Sequence, residues 1–252
     1  MKILIAAVIC LATLACGGGG GSSSPAPAPP PVVSNLPIPA GIFYGTDLST
    51  TTGLGYPVIG ALDPAGNFRI AEISSSGVGC FGGVLVASPT SFSSSAMHYN
   101  SPAYPGAPSP ITLGPGLITG SSQGMPWNNG VQTGYVTLTS DPIYNQSFTL
   151  ASLAGSYQAP SYQNNVGVVM NVALAADGSF SGSDVYGAFT GTLTQITPGK
   201  NLYNVNLTIT GTTTSFTGLA FYSGSSTNFT QNSFYMQISC PTYGLTAILT
   251  HQ

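Results

Sequence analysis

Few residues in this chain have the chemistry to act on a substrate. Gly120-Ser121-Ser122-Gln123-Gly124 matches the G-x-S-x-G spacing, in which a serine on a tight strand-to-helix turn exposes its Oγ as a nucleophile. That geometry needs an apolar strand before the serine and a helix after it. Here a proline-rich stretch leads in and Met125-Pro126 leads out, and a chain with 33 glycines produces such a match readily. His98 or His251 could supply a base and a carboxylate could orient it, but no spacing ties them to Ser122. Two histidines far apart in sequence do not make the three- or four-ligand set of a metal site. Asp177, Ser179, Ser181 and Asp184 have the look of a calcium loop without its carboxylate density or terminal Glu, and a polar hairpin accounts for them better. The sequence thus predicts no catalytic residue, no metal and no cofactor. Trp127, the only tryptophan, sits among turn formers in Pro126-Trp127-Asn128-Asn129-Gly130. It is the one candidate ligand contact, either an aromatic platform or a plug closing the end of a barrel.

The elements that position these residues read as strands. Tyr203, Val205, Leu207 and Ile209 alternate with Asn204, Asn206, Thr208 and Thr210, the period of two expected when one face of a strand is buried. Upstream of them lie Asp177-Gly178-Ser179-Phe180 and Gly187-Ala188-Phe189-Thr190-Gly191-Thr192-Leu193. An echo precedes these by about 110 residues, in Ala65-Gly66-Asn67-Phe68 and Gly79-Cys80-Phe81-Gly82-Gly83-Val84-Leu85. The chain therefore reads as all-β and antiparallel, with two related β units. The first, 41–150, has candidate strands at 41–48, 55–62, 68–74, 80–87, 94–99 and 134–139, and a proline-rich loop at 101–130. Such a connection is either functional or a lid over a sheet opening. The second, 151–252, has eight candidate strands at 153–158, 166–175, 179–184, 188–196, 202–210, 216–222, 233–240 and 245–250. Eight is the count of an up-and-down barrel, with a β-sandwich as the alternative. In the first copy Gly82, Val84 and Val86 make an apolar outer face, which predicts that this strand is covered by the other half.

Lys2, the apolar run 3–14 and Ala15 before Cys16 form a signal peptide over 1–15, too short for a permanent membrane span. Residues 16–40, rich in Gly, Ser, Pro and Ala, read as a flexible tether. Leu14-Ala15-Cys16 followed by the glycine and serine runs resembles the lipoprotein signal of Gram-negative bacteria. It departs from the family pattern in having Thr13 where Leu is preferred, with leucine one place later at Leu14. The resemblance implies cleavage before Cys16, lipid attachment to it, and, with Gly17 next, sorting to the outer membrane. The partner it implies is the membrane, through the lipid. The β units on their tether also resemble, in architecture alone, small β-barrel surface lipoproteins such as the C-terminal barrels of transferrin-binding lipoproteins.

Charged residues make up 4% of the chain, and beyond the leader the only cations are Arg69 and Lys200. Two cations cannot neutralise a run of phosphates, so nucleic acid is excluded as a partner. With Cys10 in the leader and Cys16 lipidated, Cys80 and Cys240 remain as an even pair in an oxidising compartment. They are expected to form a disulfide, with two separate buried thiols as the alternative. The functional expectation is a lipid-anchored outer-membrane protein with a non-catalytic binding or structural β module. The alternatives are a carrier with an apolar ligand in the barrel and, further off, a serine hydrolase using Ser122.

Overall fold

The computed structural model describes residues 40–73, 80–87, 92–99, 108–119, 122–163, 166–184, 187–242 and 244–252. The expected signal peptide, Cys16 and all of the expected tether except Ala40 lie outside them. The first unit comprises β1 (Gly41–Ser49), β2 (Gly55–Leu62), β3 (Asn67–Glu72), β4 (Cys80–Val84), β5 (Val86–Ala87), β6 (Phe92–Tyr99), β7 (Ser109–Thr119), β8 (Ser122–Asn128) and β9 (Thr133–Asp141). β5 carries on from β4 past Leu85, both pair with β6, and β9 returns to pair with β1. The sheet thereby closes into an eight-stranded barrel, leaving no long edge to template aggregation. A 3-10 turn (Pro142–Asn145) and one turn of helix, α1 (Leu150–Leu153), lead on to the second unit.

There β10 (Gly155–Gln163), β11 (Val166–Leu174), β12 (Ser179–Asp184), β13 (Gly187–Gln195), β14 (Tyr203–Ile209), β15 (Ser215–Tyr222), β16 (Ser233–Ser239) and β17 (Gly244–His251) form a second closed barrel, up and down throughout. The barrel form replaces the sandwich alternative. On β14, Tyr203, Val205 and Leu207 are buried while Asn204, Asn206 and Thr208 face water, as their alternation requires. Apolar inside and polar outside is the reverse of what a lipid-embedded barrel needs.

The duplicated segment occupies the same place in both barrels, the turn into the third strand and the fourth strand beyond it. Gly66 and Gly178 both take positive φ, +90 and +88°, a conformation a side chain would strain. Each glycine carbonyl then accepts a hydrogen bond from the fourth strand, from Leu85 N at 2.9 Å and from Leu193 N at 2.8 Å. The first turn is tightened by Asp63, whose Oδ1 accepts from Ala65 N and Asn67 N, both at 2.8 Å. In the second, Asp177 accepts from Ser179 N and Ser179 Oγ instead.

Two expectations are corrected. Within the stretch 101–130, residues 109–119 and 122–128 are not a loop or lid but β7 and β8, two full staves of the first barrel. Pro110 stands opposite Met97 and Pro126 opposite Tyr135, while Pro115 falls where the β7–β8 register shifts. A proline is tolerated in a ladder wherever its missing N–H is not called on, and at irregularities. The outer face of β4 and β5 is covered only in part. Cys80 and Gly82 are buried, but Val84 and Val86 are 51% and 60% exposed, because the second barrel reaches only the Cys80 end.

The barrels pack wall to wall, β15, β16 and β17 lying against β2, β3 and β4. All seven residues of β16 are buried. Phe234, Met236 and Ile238 fill the second barrel, whereas Tyr235 turns outward to join Ile42, Ile59, Ala61 and Ala71 of the first in a shared apolar seam. Phe221 stacks on Tyr235 with ring centroids 5.1 Å apart, and Phe229 sets its edge against both. Polar side chains pin the margins. Asp141 Oδ2 accepts from Asn228 Nδ2 at 2.7 Å and Ser226 Oγ at 3.0 Å. Fully buried Asn201 donates to Tyr222 O and Ile143 O and accepts from Tyr222 N. Phe221→Ala, which removes a ring from the middle of this seam, is expected to cost about 3–5 kcal/mol, read as a lowered midpoint in urea unfolding.

Candidate functional site

The polar side chains with the most unusual surroundings lie inside the first barrel. Strand alternation turns Phe43 of β1, Phe68 and Ile70 of β3, and Met125 of β8 into the apolar interior. The same parity brings Asp47, Glu72 and Trp127 in behind them, toward the end where β1, β3 and β8 finish. Asp47 is 2% exposed and Trp127 7%. Trp127 Nε1 donates to Asp47 Oδ1 at 2.6 Å, so the indole is both a packed ring and a hydrogen-bond donor. Its cross-strand partner is Gly134, where a Cβ would stand 2.3 Å from the ring. Only glycine leaves space for the indole there.

Glu72 is hydrogen-bonded to Asp47, and its carboxyl is pushed up to about 8. Burial is the main cause, followed by the hydrogen bond to Asp47 and the charge of that carboxylate. At neutral pH Glu72 therefore keeps its proton and donates it to Asp47. Such a pair has the chemistry of an acid and its conjugate base. Val58 and Val136 stand across the ladder from Glu72 and Asp47, and Leu113 from Trp127, whose ring lies 6.5 Å from that of Phe81, while Glu72 itself is only half-buried. The pair's evident work is to fill the polar end of the barrel with satisfied groups. Neither carboxylate stands out in a motif. The signal that could have found them is parity, since Phe43 and Asp47, like Phe68, Ile70 and Glu72, are an even number of residues apart on one strand.

The residues singled out from sequence are not brought together. Trp127 offers no open face to a ligand, being enclosed as just described. Ser122 opens β8, so a strand rather than a helix follows it and the nucleophile-elbow geometry is not formed. His98 pairs with Phe81 and Ser109 in the first barrel's ladder. His251 is exposed at the end of the second barrel, its ring edge-on to Tyr157 at 5.0 Å. Asp177 serves its own turn. Among the described residues no three His, Cys, Asp or Glu side chains gather as metal ligands.

The expected disulfide is not formed: Cys80 and Cys240 are both free and buried. Cys240 belongs to the interior cluster of the second barrel. Cys80 is on the outer wall of the first, next to Arg69 and Thr246. The β16–β17 wall therefore stands between the two thiols. Burial pushes the Cys80 thiol up to about 11, with the Arg69 charge opposing, so at neutral pH it is a packed S–H and a poor nucleophile.

Two further features bear on binding. The second barrel holds a partly open void lined by apolar side chains including Tyr157, Phe180, Phe234 and Met236, with room for about one water-sized sphere. On the outside, Leu48 and Tyr135 face each other across β1 and β9, and Leu54 and Val131 project nearby from the turns that Thr50 and Thr133 tie together. Val131 is 86% exposed, so this rim of the first barrel presents apolar side chains to water. No protein family, curated protein or solved structure matches the chain.

The acid pair makes stability depend on pH. Glu72 binds its proton more tightly folded, near 8, than at its ordinary 4.5, so its stabilisation is complete below 4.5 and is lost as pH rises through 8. The urea midpoint of the wild type should fall between pH 5 and 9, by at most about 1.4 kcal/mol per pH unit from this group. In Glu72→Gln, which keeps a neutral donor for Asp47, that slope should be gone.

Proposed function

We propose that this chain is a lipoprotein anchored in the outer membrane through Cys16, displaying two fused β-barrels on the 16–40 tether as a non-catalytic binding or structural module. The observation that carries the reading is that, among the described residues, a packed cluster of side chains occupies the interior of each barrel. Aromatic and aliphatic side chains occupy the first lumen together with the Asp47–Glu72–Trp127 group, and the apolar void among the second barrel's described residues has room for about one water-sized sphere. A filled barrel offers its outer wall and rims to a partner rather than its interior, which favours display over carriage of an apolar ligand.

Two further observations support it. The exposed positions of the second barrel's strands are mostly Ser, Thr, Asn and Gln, a surface that stays soluble without charge. The apolar rim formed by Leu48, Leu54, Val131 and Tyr135 is the kind of small exposed patch on which a protein partner could seat. The Cys16 assignment rests on the resemblance of Leu14-Ala15-Cys16 to a lipoprotein signal. Three acyl chains, each burying many methylenes at about 0.8 kcal/mol apiece, would hold such a protein stably in a bilayer.

Metabolic labelling with palmitate tests the anchor. The wild type should take up label and fractionate with membranes, while Cys16→Ala should take up none. Label retained by that variant would refute the assignment. Protease shaving of intact cells then tells surface display from a periplasmic location.

A further inference from the structure

At one end of the seam between the barrels the apolar contacts give way to polar ones. Arg69 extends over Gly82, where a Cβ would come within 2.8 Å of its Nη1. Its Nη1 donates to Phe68 O at 2.9 Å and its Nη2 reaches Ser239 Oγ of the second barrel at 3.4 Å. Gln237, 1% exposed, donates its Nε2 to Ile59 O of the first barrel at 3.2 Å. That bond sets the orientation of the amide, because reversing it would bring two oxygens together. Thr246 stands directly opposite Gln237 in the β16–β17 ladder, with the Cys80 thiol as its neighbour across the seam. The thiol's own geometry favours Phe81 O, at 3.7 Å.

Three atoms in this small region are buried without a hydrogen-bond partner among the described residues: Arg69 Nε, Gln237 Oε1 and Thr246 Oγ1. Buried polar atoms in folded proteins are almost always satisfied, by protein or by ordered water. Their chemistry defines what would satisfy them. Arg69 Nε can only donate, Gln237 Oε1 can only accept, and the Thr246 hydroxyl can do either. A halide could accept from Arg69 but would be repelled by Gln237 Oε1. A metal cation would suit Gln237 Oε1 and be repelled by the guanidinium. A neutral molecule that both donates and accepts, and is small enough to lie between packed β walls, meets all three demands.

We infer that the polar end of the seam is a binding site for ordered water, which accepts from Arg69 Nε, donates to Gln237 Oε1 and takes Thr246 Oγ1 as a further partner. The two barrels are then joined here through solvent, in addition to the direct Gln237–Ile59 and Arg69–Ser239 bonds. A high-resolution crystal structure of the full chain, purified in detergent and soaked in bromide, tests this. The expected result is ordered density within hydrogen-bonding distance of Arg69 Nε and Gln237 Oε1, with no anomalous bromide signal. A bromide peak there would make the site an anion site and overturn the inference. So would a dry seam in which the three groups had turned to protein partners. In solution, water-to-protein cross-relaxation at the Arg69 Nε–H should reveal a long-lived water, and its absence would count equally against the proposal.

Discussion

The structure depends on a single strand being buried on both faces. β16 supplies Phe234, Met236 and Ile238 to the interior of its own barrel and Tyr235 and Gln237 to the wall of the other. A barrel stave normally has one face to spare for water. Here the outer face is given up to a seam, and the hydrophobic effect that closes each barrel also joins the two. The aromatic group of Phe221, Phe229 and Tyr235 acts as the centre of that seam, while Asp141 and Asn201 fix the connecting turn around it. Each of these polar residues is buried with its hydrogen bonds made, which is the condition for a polar group to hold an interface together rather than weaken it.

The same rule governs the first barrel's interior. Asp47 and Glu72 would be intolerable there as two charges. They are accommodated because Glu72 keeps its proton and donates it to Asp47, and the indole N–H of Trp127 supplies a further donor. Gly134 gives the indole its space. The cluster occupies volume at one end of the first barrel's interior.

Much of the fold was legible in the residues. The alternation along Tyr203 to Ile209, the glycine turns at Gly66 and Gly178, and the eight strands of the second unit follow from local rules of side-chain period and backbone freedom, and those rules operate within a few residues. β7 and β8 were not legible, because proline density was read as irregularity. Pro110, Pro115 and Pro126 sit in barrel staves, and whether a proline N–H is needed depends on the neighbouring strand. The candidate site was barely legible at all. Trp127 drew notice as the only tryptophan, but its partners Asp47 and Glu72 lie 80 and 55 positions away in the chain, and no local pattern joins them.

The sequence by itself determined the class of the protein: all-β, antiparallel, duplicated, nearly uncharged, with a turn chemistry that only glycine satisfies. Those properties belong to neighbouring residues and survive in any tertiary arrangement. Tertiary structure alone decided that the first unit also closes into a barrel, that the second is a barrel rather than a sandwich, that β16 is covered twice, that Val84 and Val86 stay in water, and that Cys80 and Cys240 remain apart as thiols. Each of these turns on which face of a closed wall a side chain occupies and what stands behind it. Parity along a strand can say that two residues share a face, but only closure and packing of the sheet decide whether that face meets lumen, seam or solvent.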